Sequence, residues 1–490
     1  MKLKINKTFL LLFAIFLITL FFRFFNYINR WGIASDQARD AIVSSYAIAN
    51  NSLPLIGPFS ASGPFVFGPF MYWFLIIVGH ILGFSYLGYW IGLTFFSSLM
   101  AFLMFLVGKE IKDNFTGLLL AFFNAISTMQ NNLATNLTES ALAGIFSVFS
   151  LYFFIRSVKY GSFANDFFLG LFTALAINTH PQSIPLGLLL LASILISRNV
   201  KKISFLILGF VIPFIPLAIF DLQSNFYESK NILGYFLTAH SSGTEVPKRW
   251  LTYLSQTWPQ FWSLMLGGNF YISVGLVLLT VLVFLYAIYK KDIQKPILSL
   301  AIIYAFIFII LRYFPGQLFG DFVAFLVPLF LILVTWAVVK IKQLNLYAGI
   351  LIIAVISLTS IYSTFNAINM ATNYSWPNAK KLENVLVQEF PKNTKFSVYD
   401  FGHTNTQISY PLVYALYLDG KINDSGQKIG INSQIMPGYQ LNYFEKDRYT
   451  AFFYTLGQND KTLVKNGWVN VNPSNIYKSV ENWYKSDSGK

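Results

Sequence analysis

The sequence predicts a mainly α-helical membrane protein: a polytopic bundle of about eleven spans, with interfacial helices and a small extracytoplasmic α/β domain at the C-terminal end. Three observations predict it. Of 490 residues, 55% are hydrophobic and only 11% are charged, with a mean hydropathy of +0.55. A soluble domain carries roughly 25% charged residues, so a soluble, disordered or fibrous chain is excluded. Apolar runs alternate with short basic clusters through residue 365, and from Asn366 onward polar and charged residues become common. The chain therefore divides into a transmembrane domain, 1–365, and an α/β domain, 366–490.

A span needs about 20 mostly apolar residues. The runs 8–25, 86–107, 114–130, 139–155, 167–179, 183–197, 203–220, 271–289, 297–311, 322–339 and 345–363 are the candidates. The first follows Lys2, Lys4 and Lys7 and shows no small-residue cleavage site, so it reads as an uncleaved span. A further run, 65–83, opens Phe65-Val66-Phe67-Gly68-Pro69-Phe70-Met71-Tyr72-Trp73. Proline and clustered aromatics suit the membrane interface. Counting it as a span inverts the side of every later basic cluster. Leaving it out puts Lys2/Lys4/Lys7, Lys109/Lys112, Arg156/Lys159, Arg198/Lys201/Lys202, Lys290/Lys291/Lys295 and Lys340/Lys342 on one side, the cytoplasm by the positive-inside rule. It is accordingly read as an interfacial or re-entrant helix on the outer side.

The predicted topology has the N-terminus inside and the C-terminal domain outside a prokaryotic plasma membrane. The outer face then holds 26–85, the 131–138 turn, the tip Thr179-His180-Pro181-Gln182-Ser183, the loop 221–270, the 312–321 turn and the tail. Trp250, Trp258, Phe261, Trp262 and Phe270 make 221–270 a candidate interfacial lid or anchor. In the tail, 377–390 and 411–418 read as helices, and 395–399, 428–431 and 450–454 as strands. The net charge of +14 resides in the cytoplasmic clusters rather than in a nucleic-acid surface, and the absence of cysteine excludes disulfides and thiolate metal sites.

The polar residues of interest fall on the outer face. Asp36 sits in Ser35-Asp36-Gln37-Ala38-Arg39-Asp40, with Ser35 as N-cap of an amphipathic helix. It is either a carboxylate placed by the helix dipole, paired with Arg39 or Arg23, or a functional group. Glu139 begins the fourth span. Two carboxylates on one face suit proton abstraction from a hydroxyl, or a divalent cation. His180 stands at a hairpin tip, and the four histidines show no metal-ligand spacing. Arg312, Lys248 and Arg249 could hold a phosphate at headgroup depth, Tyr313 adjoins Arg312, and Asp321 could pair with Arg312. No Walker loop, dinucleotide fingerprint, HExxH or GxSxG is present. A substrate for this face must be available there, and a lipid-borne one is.

In order and spacing, Arg23, Asp36-Gln37, the aromatic stretch from Pro64 to Trp73, Glu139 and Thr179-His180 resemble the GT-C superfamily of integral-membrane glycosyltransferases. The branch is that of protein O-mannosyltransferases and the lipid A aminoarabinose transferase. Residues 8–200 carry the match. Arg312-Tyr313 and Phe325-Leu326-Val327-Pro328 fit more generally. Two features depart from the family pattern: Gln37 replaces the Glu of an Asp-Glu pair, and Phe67-Gly68 replace a Lys before the interfacial proline.

The resemblance implies transfer of a sugar from a polyprenyl-phosphate donor to an acceptor hydroxyl, with inversion. Asp36 would be the general base, with Glu139 as its partner. Arg23, His180, Arg312, Lys248 and Arg249 would hold the phosphate, with Gln37, Arg39, Asp40 and Tyr313 in support. The acceptor is a protein, lipid or glycan, and a divalent cation is the one cofactor the carboxylates suggest. The alternatives are a lipid-linked polysaccharide polymerase or ligase, and a lipid or solute transporter.

Overall fold

The computed structural model describes residues 7–60, 65–83, 85, 87–197, 199–238, 249–314, 318–434, 441–446, 449–457 and 459–481. Among them, seven helices are long and apolar enough to cross a membrane: Lys7–Phe24, Gly88–Ile111, Glu139–Tyr160, Val200–Gln223, Phe270–Tyr289, Gly320–Leu344 and Leu346–Asn369. The other predicted spans form shorter helices, Asn114–Ile126, Phe163–Thr179, Pro181–Ser197 and Lys295–Leu311. The 65–83 run is helical only over Phe70–Leu82. Its 13 residues extend about 20 Å at 1.5 Å per residue, short of a bilayer core of about 30 Å.

The core of the bundle is the Val327–Leu344 helix, buried at every position from Val327 to Val339. The Asn114–Ile126 helix ends at Ser127, whose extended backbone starts a second helix, Thr128–Thr135. Carbonyls freed by this break would be costly in lipid. They are met from inside the protein: Thr364 Oγ1 donates to Ile126 O at 2.8 Å, and Asn131 Nδ2 to Ala125 O at 2.9 Å. The Phe163–Thr179 and Val200–Val211 helices meet through glycines. A Cβ on Gly170 would stand 2.1 Å from Leu206 O, and one on Gly209 2.0 Å from Phe167 O. Such contact lets two backbones touch where lipid gives no hydrophobic drive.

The described residues of loop 221–270 are mostly helical, with helices at Tyr227–Thr238, Arg249–Thr252 and Trp258–Met265. Trp258 and Phe261 are buried, and Trp258 packs on Phe308 with ring centres 4.9 Å apart. Here the aromatics act as packing against the bundle rather than as a free cover. Trp250 and Phe270 stay exposed.

The tail holds one five-stranded sheet, β1 (Phe396–Phe401), β2 (Gln427–Asn432), β3 (Leu441–Lys446), β4 (Tyr449–Thr455) and β5 (Trp468–Asn470), in the order β3-β4-β2-β1-β5. Only β1 and β2 are parallel. The expected 411–418 helix begins earlier, at Thr406, and takes Pro411 into its interior. Asp400 explains the early start: its Oδ1 accepts from Asn405 N–H at 3.1 Å and its Oδ2 from Ser409 Oγ at 2.6 Å.

The tail is tied to the first outer helix, Ser35–Ala49. The Thr406–Leu418 and Pro473–Glu481 helices both pack on it. Ser35 N–H donates to Gln407 Oε1 at 3.2 Å, Tyr477 OH to Ser52 Oγ at 2.9 Å, and Ile33 N–H to Tyr374 O at 2.6 Å.

Candidate functional site

The site is built on the Ser35 helix. Ser35 does not cap it. Instead Gln37 Oε1 accepts from Ala34 N–H at 3.0 Å, and Gln37 Nε2 donates to Asn136 Oδ1 at 2.8 Å. Gln37 thus starts the helix and fastens it to the turn before Glu139. Ala38, Ala41, Ile42, Val43 and Ala47 are buried. Asp36 points away, with its side chain 61% exposed.

Arg39 joins two carboxylates. Its Nη1 lies 2.9 Å from Asp36 Oδ1 and its Nε 2.8 Å from Asp40 Oδ1. Asp40 is fully buried, and Tyr72 OH donates to its Oδ1 at 3.3 Å. No described residue bonds Asp40 Oδ2. Burial pushes the Asp40 carboxyl up to about 6, against the pull of Arg39. Burial alone would lower the Arg39 guanidinium, but Asp40, Tyr72 and Asp36 outweigh it and hold Arg39 well above its ordinary value.

Glu139 is the first residue of its helix, half-buried, and within electrostatic reach of Asp40, Arg39 and Asp36. Beside it, Ser140 Oγ donates to Asp321 Oδ1 at 3.3 Å. Asp321 therefore turns to Ser140 and not to Arg312. Among the described residues, no group of three or more His, Asp or Glu side chains is arranged to hold a metal ion. The cluster gives a divalent cation no ready cage.

The cations expected to meet phosphate do not form one group. Arg23 is fully buried in the first span, with Nε 3.4 Å from Asn131 Oδ1, and no described residue meets its Nη atoms. His180 is buried between the rings of Phe67 and Phe322. Burial pushes its ring down to about 3, so it is neutral and offers no charge to a phosphate. Arg312 stands over Trp250, 4.8 Å from the ring centre, and over Tyr313 at 5.3 Å. Arg249 opens the short Arg249–Thr252 helix. Lys248, and Pro64 at the head of the aromatic stretch, lie outside the described residues.

Two cavities frame these groups. A cleft of about 790 Å³ opens between the Ser35 helix and the tail, lined by Ser35, Asp36 and Arg39 on one wall and by His403, Thr406, Tyr410 and Asn475 on the other. A second, apolar cavity of about 210 Å³ lies between the Phe270–Tyr289, Lys295–Leu311 and Val327–Leu344 helices, lined by Val281, Phe284, Ala301, Tyr304 and Phe330 among others. The lower part of the Lys295 helix lines it, and Arg312 follows that helix. Seven residues separate Ala305 from Arg312, roughly 10 Å along a helix. Tyr72, His403, Tyr410 and Asn475 were missed in the sequence. Tyr72 stood in view within the aromatic run, but the other three carry no local pattern.

Comparison with known proteins agrees with the fold. Residues 64–220 match the family described as Dolichyl-phosphate-mannose-protein mannosyltransferase. The structure of ArnT from Cupriavidus metallidurans bound to undecaprenyl phosphate superposes with a TM-score of 0.62 at 13% identity, over 92% of this chain and 98% of that one. Its apo form gives 0.61 at 11%, over 91% and 98%. The apo oligosaccharyltransferase of Archaeoglobus fulgidus gives 0.52 at 14%, over 88% and 70%. No curated protein sequence matches the chain. The GT-C resemblance read from the sequence thus stands, in the fold of the chain and in the sequence of 64–220.

Proposed function

We propose that this protein is an integral-membrane glycosyltransferase that moves a sugar from a polyprenyl phosphate to an acceptor hydroxyl on the outer face of a prokaryotic plasma membrane. The N-terminus is cytoplasmic and the tail extracytoplasmic. The observation that carries the reading is Asp36: an exposed carboxylate on the wall of a roomy cleft, held by an arginine anchored on a buried partner.

Asp36 takes the proton of the acceptor hydroxyl as its oxygen bonds to the sugar C1. The C1–O bond to the phosphate breaks, and its electron pair leaves with the polyprenyl phosphate. One such displacement inverts the anomeric centre. The leaving group is already stable as an anion, so no general acid is needed. Arg39 fixes the direction of Asp36, and Asp40 with Tyr72 fixes Arg39. Glu139, within electrostatic reach of Arg39 and Asp36, adds a second carboxyl beside the base. Arg312 receives the phosphate, and the prenyl chain follows the apolar cavity beside Tyr304. Arg312, stacked on Trp250 and Tyr313, pairs with no carboxylate among the described residues.

The test uses membranes holding equal amounts of the natural protein or Asp36→Asn, with a panel of radiolabelled polyprenyl-phosphate sugars. Release of sugar from lipid by the natural protein, and its loss by about 10²–10⁴-fold in the variant, is the expected result. Equal turnover in both removes Asp36 as the base. No turnover with any donor, in the presence of cell-envelope acceptors, overturns the reading.

A further inference from the structure

The wall facing Asp36 is made by the tail, and its chemistry is specific. His403, Thr406 and Asn475 present an imidazole, a hydroxyl and a carboxamide. No described residue engages the Thr406 hydroxyl or the Asn475 side-chain amide. The His403 Nε2 lies 3.0 Å from Tyr410 OH. Backbone geometry sets that contact: Gly402 and His403 are both left-handed, at φ of 61° and 56°, directly after β1. A non-glycine residue in that region is uncommon. Phe59 and Tyr410 add aromatic surface to the cleft. Of the two cations that line it, Arg39 is engaged by two carboxylates, and Lys478 also has a partner.

Groups that donate and accept, set beside aromatic rings, match vicinal hydroxyls on an apolar ring face. They do not match a phosphate, which would call for free cations. A peptide acceptor would be recognised through its backbone or charged side chains, and the loose donors here are side-chain amide, hydroxyl and imidazole. The volume lies in the range of about 300–1,000 Å³ of small-molecule sites.

We infer that the acceptor is a neutral glycan, seated in this cleft with Thr406, His403 and Asn475 on its ring hydroxyls, so that one hydroxyl meets Asp36. The inference rests on the glycosyltransferase reading and names its acceptor class. Tyr410 is a positioning residue that orients His403.

Binding can be measured without turnover. The full-length protein in detergent is titrated with trisaccharides built on glucose, galactose, mannose and N-acetylglucosamine, and with a Ser/Thr-rich decapeptide, by calorimetry and saturation-transfer NMR. At least one trisaccharide is expected to bind. Asn475→Ala and Thr406→Val should each weaken it by about tenfold, the worth of one good hydrogen bond. Asn475→Gln, which keeps the amide, should recover part of the loss and exclude misfolding as its cause. Binding of no trisaccharide, sugar binding indifferent to both cleft variants, or binding of the peptide alone would each overturn the inference. Sugar bound at Asn475 with no donor turnover would leave the acceptor cleft standing and defeat the transferase reading. Turnover without sugar binding would do the reverse.

Discussion

Arg39 Nε lies 2.8 Å from Oδ1 of the fully buried Asp40, while its Nη1 reaches the exposed Asp36. One guanidinium thus transmits the rigidity of the interior to a carboxylate at the surface of the cleft. Tyr72 contributes from a second helix by donating to the same Asp40 oxygen. On the proposed mechanism, Asp40 and Tyr72 position Asp36, and Asp36 meets the acceptor.

Replacing Asp36 should leave stability nearly unchanged, within about 0.5 kcal/mol, since its side chain is exposed and its ion pair is a surface one. Asp40→Ala should cost much more, about 3–5 kcal/mol, because Arg39 loses its buried partner and keeps the exposed Asp36. Thermal unfolding in detergent, read beside sugar release, separates the two. A large loss of melting temperature in Asp36→Asn would make Asp36 structural.

The Asp40 carboxyl, raised by burial to about 6, sets a pH dependence. The folded state binds that proton more tightly than the unfolded chain. Its contribution to stability is full below about 4 and is lost as pH rises through 6. Activity runs the other way, because Arg39 needs the Asp40 anion. kcat/KM should fall as pH drops through about 6, and that limb should disappear in Asp40→Asn. A limb that persists unchanged in the variant would assign it elsewhere.

Glu228 is buried, accepts Val66 N–H at 2.9 Å, and is raised to about 8 by its burial. The carboxyl adds stability below its unfolded value near 4.5 and loses it as pH rises through 8. Glu228→Gln keeps the acceptor and removes the titration. It should melt above the natural protein at pH 9, with the gap closing towards pH 5. A gap that does not change with pH would contradict the assignment.

The Phe70–Leu82 helix that carries Tyr72 is placed by Gly68. A Cβ there would stand 1.3 Å from Asn178 Oδ1, and Gly68 N–H donates to Asn178 O at 2.7 Å. Gly68→Ala should cost about 1–3 kcal/mol, as overpacking does, and lower kcat through Tyr72. Adding Asn178→Gly should return part of both. Failure of the double variant to recover either would show that the helix is held by other contacts.

The bundle was legible because its signal is compositional: long apolar runs and basic clusters survive any uncertainty at helix ends. The shortness of Phe70–Leu82 was legible too, since Pro69 stops it at one end and Gly83 at the other. Asp36, Glu139 and Arg39 could be found because they lie close in sequence to span ends. What the sequence hid was direction. His180 was read as a cation at an outer tip, but the aromatic rings of two distant segments enclose it. For Asp321 the sequence offered Arg312 as one partner, and the structure gives it the Ser140 hydroxyl. The tail wall of the cleft was invisible, because Tyr410 and Asn475 reach it only through the sheet order and the packing of two helices.

The Ser35 helix is clasped by the Thr406 and Pro473 helices of the tail, which cover its outer flank. Its Ala38 and Ile42 are wholly buried. Ancestrally or in the laboratory, the tail is then no detachable cartridge. Grafting it alone onto a related scaffold would leave a foreign Ser35-equivalent helix beneath it, with a mismatched seam and the proposed base on the wrong side of the join. The smallest piece that can be exchanged as a working part is discontinuous: the helix near the beginning of the chain together with the domain at its end. Substrate preference in such chimaeras should follow that pair and not the intervening spans.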